Sequence, residues 1–258
     1  MFLSLLQPLF NIIDAHYPVI ANLRGLNAPP APGPPQSASV RTGLLSDLSA
    51  AATAAVETPR VKHLGTVPYA PTLARMREFT TQRDAQTRDE LWLLEHPPVY
   101  TVGIAGKAEH LPRIDNGIPV ERIDRGGQIT YHGPGQLVLY LLLDLRRRGL
   151  SVRPLVRRME QAVVRLLASY GIEARGRDDA PGVYVGAAKI AALGLRVRNG
   201  CCYHGLALNV DVDLAPFFAI NPCGYPGMAV TRLHDLGVTD NREQIGERLV
   251  CSMMEKLQ

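Results

Sequence analysis

From Lys62 onward the apolar positions fall into the alternating spacings of a mixed α/β domain. Ala70 to Phe79 reads as the start of a helix that continues to Arg88. Asp89 to Glu95 and Val99 to Val102 alternate or run apolar like strands, with His96-Pro97-Pro98 breaking the chain between them. Gln136 to Leu145 (QLVLYLLLDL) is a long apolar run and predicts a strand buried on both faces. A helix follows, with Ser151 as a plausible N-cap and Pro154 in the first turn. Leu155, Met159, Val163, Leu166, Leu167 and Tyr170 keep helical spacing until Gly171 stops it. Val183 to Val185, Ala188 to Val197 and Tyr203 to Val210 predict three further strands, with Asn199-Gly200 as the hairpin turn between the last two. A final helix is expected over Arg242 to Lys256, after the cap candidates Thr239 and Asp240. Helices interspersed with strands of one sheet make this an α+β plan.

Residues 1–61 differ from the rest. Leu26 to Val56 carries Pro29-Pro30, Pro32, Pro34-Pro35 and the Ala-rich run from Ala50 to Ala55, a composition that buries little and reads as a disordered extension or linker. Met1 to Ile13 is apolar, but it lacks a basic leading segment, contains Pro8 and runs into Asp14, which argues against a secretory signal. Residues 62–258 are expected to form the one folded domain.

With 28 basic and 24 acidic residues the formal charge is only +4, too little for a nucleic-acid-binding protein, and no apolar run is long enough to span a bilayer. Arg146-Arg147-Arg148 reads as a solvated flank. Cys201, Cys202, Cys223 and Cys251 form no CxxC pair and no regular disulfide spacing, so the chain is expected in a reducing, cytoplasmic setting.

Three segments are candidates for chemistry. RGGQITYHGPGQ, Arg125 to Gln136, holds five glycines or prolines just before the buried strand. Glycine lets backbone N–H groups approach a ligand, and Arg125 or His132 can position an anionic or carbonyl group; a plain turn needs less glycine, so the segment reads as a ligand loop. Cys223 lies in NPCGYPG, too rich in Pro and Gly for helix or central strand. On local grounds it is equally an accessible nucleophile or a structural thiol. Lys189, among the small and apolar residues from Gly186 to Leu195, is either on a sheet's wet face, the usual case, or partly desolvated and suited to proton transfer. Cys201, Cys202, His204 and Cys223 match no usual closed zinc spacing, and no metal is expected.

RGGQITYHGPGQ, AAKIAALGLRV, HGLALN and NPCGYPGM, with EHPPVYTVGIAGKAEHL before them, resemble in order and spacing the lipoyl(octanoyl) transferases. The resemblance extends from about Thr87 to the C-terminal helix. It implies a biotin/lipoyl protein ligase-like catalytic domain, a central mixed sheet flanked by helices. It also implies transfer of octanoate from acyl carrier protein to a lysine of lipoyl domains, such as those of 2-oxoacid dehydrogenases and the glycine cleavage H protein. No cofactor is expected, because the donor thioester is already activated. Carried over by position, Cys223 is the acyl-thioester nucleophile and Lys189 the lysine that tunes it. Arg125, Gly126, Gly127, Gln128, Ile129, Thr130, Tyr131 and His132 line the substrate site. Ala192, Leu193 and Gly194, with Gly205, Leu206 and Ala207, supply the remaining contacts to the acyl group. Ala192 departs from the hydroxyl residue that some members carry. An ATP-dependent ligase of the same fold, and a non-catalytic thiol or metal-binding module, are the alternatives; the NPCG cysteine argues against the first.

Overall fold

A computed structural model of the chain describes residues 57–112, 115–220 and 227–258. The segment 1–56 and Cys223 with its neighbours from 221 to 226 lie outside the described residues. Among the described residues ten strands and four helices follow in order: β1 (Arg60–Thr66), α1 (Tyr69–Gln82), β2 (Glu90–Glu95), β3 (Val99–Val102), β4 (Val120–Arg122), β5 (Ile129–His132), β6 (Gln136–Asp144), α2 (Val152–Ala168), β7 (Arg175–Gly176), β8 (Gly182–Val185), β9 (Ala188–Arg198), β10 (Cys201–Asn209), α3 (Ala215–Phe218) and α4 (Arg242–Leu257). Seven strands form the main sheet in the order β1-β2-β6-β10-β9-β8-β7, antiparallel except for the parallel β1/β2 pair. A second sheet has the order β4-β3-β5.

The doubly apolar β6 sits at the centre because it has two cores to serve. Leu139, Leu141 and Leu143 point into one cluster, with Leu155, Met159, Val163 and Leu167 of α2 and Ile245, Leu249 and Met253 of α4. Val138, Tyr140 and Leu142 alternate into the opposite cluster, with Tyr69, Leu73 and Met76 of α1 and Trp92 of β2. Each fully buried Leu or Met contributes about 1.5–3 kcal/mol, so the period-3.6 apolar stripe of α2 holds that helix on the sheet without strong caps. Ser151 stands at the N-cap of α2 but makes no side-chain cap bond. The Asn199–Gly200 turn is as expected, with both residues at positive φ (51° and 77°).

Four expectations need correction. Helix α1 ends at Gln82 rather than Arg88, because Arg83 is extended (φ −66°, ψ 145°) and Asp84 Oδ1 caps a turn by accepting from the N–H groups of Gln86 and Thr87. Helix α4 is capped by Asn241, not Thr239 or Asp240: its side chain accepts from Gln244 N while the Gln244 side chain accepts from Asn241 N. Ile129 to His132 is not loop but strand β5, buried throughout and paired with β3. Of the arginine triplet, Arg146 is exposed, but Arg147 and Arg148 are not a solvated flank.

Asp89, with its side chain 1% exposed, is bonded at 2.5 Å by Arg83, 2.8 Å by Arg147 and 2.5 Å by Arg148. Burial alone would raise its pKa, but the Asp144 N–H and the guanidinium groups outweigh burial and hold the carboxyl below its usual range. This cluster ties the end of α1 and the start of β2 to the turn after β6. Asp89→Ala leaves the arginines of a buried cluster uncompensated, and a loss of about 3–5 kcal/mol in unfolding free energy is expected; urea unfolding at pH 7 checks it, and a midpoint equal to the parent's would refute the role.

Candidate active site

Two sequence-distant motifs meet on adjacent strands. Ala192 pairs with Ala207, Leu193 with Leu206, and Gly194 with Gly205 across the β9/β10 ladder. The glycine segment before β5 crosses this surface, stitched to it by the Gly126 N–H, which donates to the Leu195 carbonyl at 2.9 Å. A Cβ on Gly194 would stand 3.1 Å from the Gly126 carbonyl oxygen and 3.2 Å from Arg125 Cδ, so a larger residue there would crowd the segment. Between segment and strands lies a narrow cleft, partly open to solvent, with a cavity volume of about 50 Å³.

Arg125, Gly127, Gln128, Ile129, Thr130 and His132 line the cleft, as do Ala192, Leu193, Gly194, Gly205, Leu206 and Ala207. Gly126 and Tyr131 do not: the first is spent on the stitch to Leu195, and the second packs away from the cleft against Tyr100 and Phe217. Tyr131 has a different use. Burial raises its hydroxyl to about 12, and its ring backs α3, whose Pro216 carbonyl accepts from the Tyr100 hydroxyl at 2.9 Å. This apolar cluster anchors the chain up to Ile220.

Two lining residues had no role at the outset, Tyr69 and His204. Tyr69 opens α1 in a stretch with no distinguishing pattern; His204 stands in the sequence only beside cysteines, as a candidate metal ligand. Behind them lies a buried aromatic and histidine layer. His132 stacks on Tyr69 at 5.9 Å and meets His96 edge-on at 5.9 Å. Its Nδ1 lies 2.7 Å from Gln136 Oε1, and its Nε2 3.3 Å from Thr101 Oγ1, which accepts from Arg125 at 2.9 Å. The Gln136 carbonyl oxygen can only accept, so Nδ1 carries the ring proton and His132 is neutral. Burial, with the charges of His96 and Arg125, drives its pKa down to about 3. His96, whose Nδ1 lies 2.7 Å from the Val67 carbonyl and Nε2 2.7 Å from the Tyr140 hydroxyl, is lowered by burial to about 4.

Lys189 is 4% exposed, so the wet-face reading of that position is wrong. Its Nζ donates to the Pro181 carbonyl at 3.2 Å and lies 5.2 Å from the Tyr184 ring centre. Gly182 keeps the space open, since a Cβ there would come 2.5 Å from Lys189 Cε. Lys189 does not itself line the cleft but stands three residues before Ala192 on β9. Its backbone is tied to the chain that follows residues 221–226: Lys189 N donates to Ala229 O at 2.8 Å, and Thr231 N to Lys189 O at 3.0 Å.

Cys202 is fully buried, donates to the Leu141 carbonyl at 3.4 Å and is raised by burial to about 12, so it is an inert core thiol. Among the described residues no group of three or more His, Cys, Asp or Glu side chains is arranged to hold a metal ion. Nor, among them, is any helix long and apolar enough to cross a membrane.

The mixed sheet with helices on both faces is similar in fold to solved lipoate-protein ligases. A bipartite ligase of an archaeal lipoylation system from Thermoplasma acidophilum superimposes with a TM-score of 0.64 at 21% identity, over 77% of this chain and 83% of that one. The family model of the lipoyl protein ligase A/B catalytic domain matches residues 68–254, and the chain belongs to this family. Two similar relatives are octanoyltransferases. That of Azoarcus sp. (strain BH72) is 64% identical over 205 residues, 79% of this chain and 90% of the relative. That of Aromatoleum aromaticum is 63% identical over 197 residues, 76% and 85% of the two. The chain is therefore an acyltransferase.

The neutral histidines set an acid limit on the fold. In the unfolded chain histidine binds its proton near ~6.5, whereas folded His96 and His132 do so only near 4 and 3. Stability is thus full above ~6.5 and falls as pH drops toward 4, because the unfolded state holds more protons in that window. Urea midpoints measured from pH 7 to 4 are expected to decline with a slope of about two protons, reduced by one in His96→Asn; a flat profile would contradict the neutral, buried assignment.

Proposed function

We propose that the chain transfers an octanoyl group from octanoyl acyl carrier protein to a lysine of lipoyl domains, those of 2-oxoacid dehydrogenases and the glycine cleavage H protein, through a thioester on Cys223 with Lys189 as its acid and base. The observation that carries this reading is strand β9 itself. One part of it, Ala192 to Gly194, lines the cleft, and another, Lys189, is hydrogen-bonded to Ala229 and Thr231, just past the segment that contains Cys223. The relatives at 57–64% identity are octanoyltransferases, which supports the acyl group named.

The chemistry balances without a cofactor. A free thiol titrates near ~8.5, so only a few per cent is thiolate at neutral pH, and an ammonium within about 4 Å favours the anion by a unit or more. The thiolate attacks the donor thioester, the carrier's thiol leaves, and an acyl-enzyme remains. The acceptor amine then displaces Cys223, and Lys189 handles the proton passed between nitrogen and sulfur. The cleft beside β9 and β10 holds the acyl chain, with Leu193 and Leu206 in its walls.

Intact mass spectrometry after incubation with octanoyl acyl carrier protein is expected to show one octanoyl adduct that hydroxylamine removes and Cys223→Ser does not form as a thioester. A hydroxylamine-labile thioester on Cys223→Ser would refute the nucleophile. Activity on free octanoate that requires ATP and survives Cys223→Ala would instead make the chain a ligase. Lys189→Ala is expected to slow acylation and raise the Cys223 pKa by about one unit or more; a near-normal rate and thiol pKa would break the pairing while leaving the family intact.

A further inference from the structure

Successive side chains of a strand point to opposite faces, yet Tyr203 and His204 of β10 point to the same one. His204 has φ 65°, in the left-handed region that only a few per cent of non-glycine residues adopt, and its ring centre lies 5.0 Å from that of Tyr203. Both side chains reach one carboxylate: the Tyr203 hydroxyl donates to Asp124 Oδ2 at 2.5 Å, and His204 Nε2 lies 3.2 Å from Asp124 Oδ1. Such backbone strain persists only where its surroundings enforce it, and it gathers at functional sites. Here it aims a histidine into the wall of the cleft.

The bonds to His204 and Tyr203 and the charge of Arg77 outweigh burial and hold Asp124 well below the usual carboxylate range. The anion can only accept, so Nε2 carries the hydrogen and Nδ1 is the acceptor nitrogen of a neutral ring. The charged and titratable groups around that ring are Asp124 and Arg125 after β4, Arg77 of α1, His132 of β5, Tyr140 of β6 and Tyr203. Burial lowers the pKa of His204 and Asp124 opposes the fall. The side chain of Asp124 is 27% exposed and that of Arg77 45%, so His204, which lines the cleft, is linked through Asp124 to a solvent-exposed edge.

We propose that His204, oriented by Asp124, is the base that takes the first proton from the acceptor lysine's ammonium group, an assignment that rests on the acyl-transfer reading above. An ammonium loses two protons on becoming an amide N–H. The first passes to His204 Nδ1, giving an imidazolium paired with Asp124, and leaves to solvent at that exposed edge. The freed lone pair then forms the C–N bond to the thioester carbonyl, and the C–S bond breaks with its electrons on the Cys223 sulfur. The second proton leaves nitrogen by way of Lys189 and restores the thiol. Asp124 is a positioning residue, acting through His204.

The test separates the two half-reactions in single turnovers of the full chain, with octanoyl-pantetheine as donor and a lipoyl domain as acceptor. In His204→Asn, which keeps a residue tolerant of the left-handed region, the ratio of transfer rate to loading rate is expected to fall about 100-fold at pH 7. The deficit shrinks as pH approaches the lysine's own ~10.4. In Asp124→Asn the ratio falls less and the acid limb of the transfer profile moves to lower pH, because the charge that favours the imidazolium is gone. Should His204→Asn fail to fold, Asp124→Asn decides. An unchanged ratio, or an equal slowing of both halves at every pH, overturns the proposal. A parent chain that takes up no octanoyl group overturns the acyl-transfer reading itself and this assignment with it, and is distinguishable because it fails before any acceptor is added.

Discussion

The antiparallel register of β9 on β10 is the constraint on which the site depends. It puts Ala192, Leu193 and Gly194 beside Ala207, Leu206 and Gly205, and a slip of one residue would turn every one of these side chains to the other face. The register is held from behind, since β10 is also paired with β6 on either side of Tyr203 and His204, and Gly205 stacks where any Cβ would run into the Leu139 carbonyl. The small residues of the cleft are therefore required twice, once for the close approach of strands and once for the space they leave.

On that platform the charges are arranged by depth. Cationic Arg125 is almost wholly covered and spends donors on the Thr101 carbonyl and hydroxyl and on the Gly126 carbonyl. The histidines behind the cleft are kept neutral because burial costs more than their partners return. Asp124, nearer solvent, stays ionised because three side chains bond or pair with it. A dry wall next to an ionised rim suits a site that must hold an apolar chain and still move protons at its edge.

The fold keeps its charged scaffolding apart from this chemistry. Asp89 and its three arginines lock the junction of α1, β2 and the turn after β6, while Tyr100, Tyr131 and Phe217 fasten the second sheet to α3. Both clusters act at a distance from the cleft, the first by fixing the edge of the main sheet and the second by anchoring the chain that leads into residue 221.

The elements of strong periodicity, β6 and α2 above all, are legible in the chain alone, because a strand with two apolar faces and a helix with one apolar stripe have few other solutions. Glycine and small-residue motifs also marked most of the cleft, since a backbone that must approach a ligand or another strand closely shows directly in composition. The rest depends on contacts between segments far apart in the chain. The burial of Lys189 depends on neighbours from β8 and the chain after 226; two arginines of the triplet, Arg147 and Arg148, are drawn in by an aspartate more than fifty residues earlier; Tyr131 turns from the cleft because α3 needs its ring. His204 differs for a physical reason no local pattern carries: one left-handed residue breaks the alternation of its strand, and the carboxylate that gives the break its purpose comes from a loop 80 residues away.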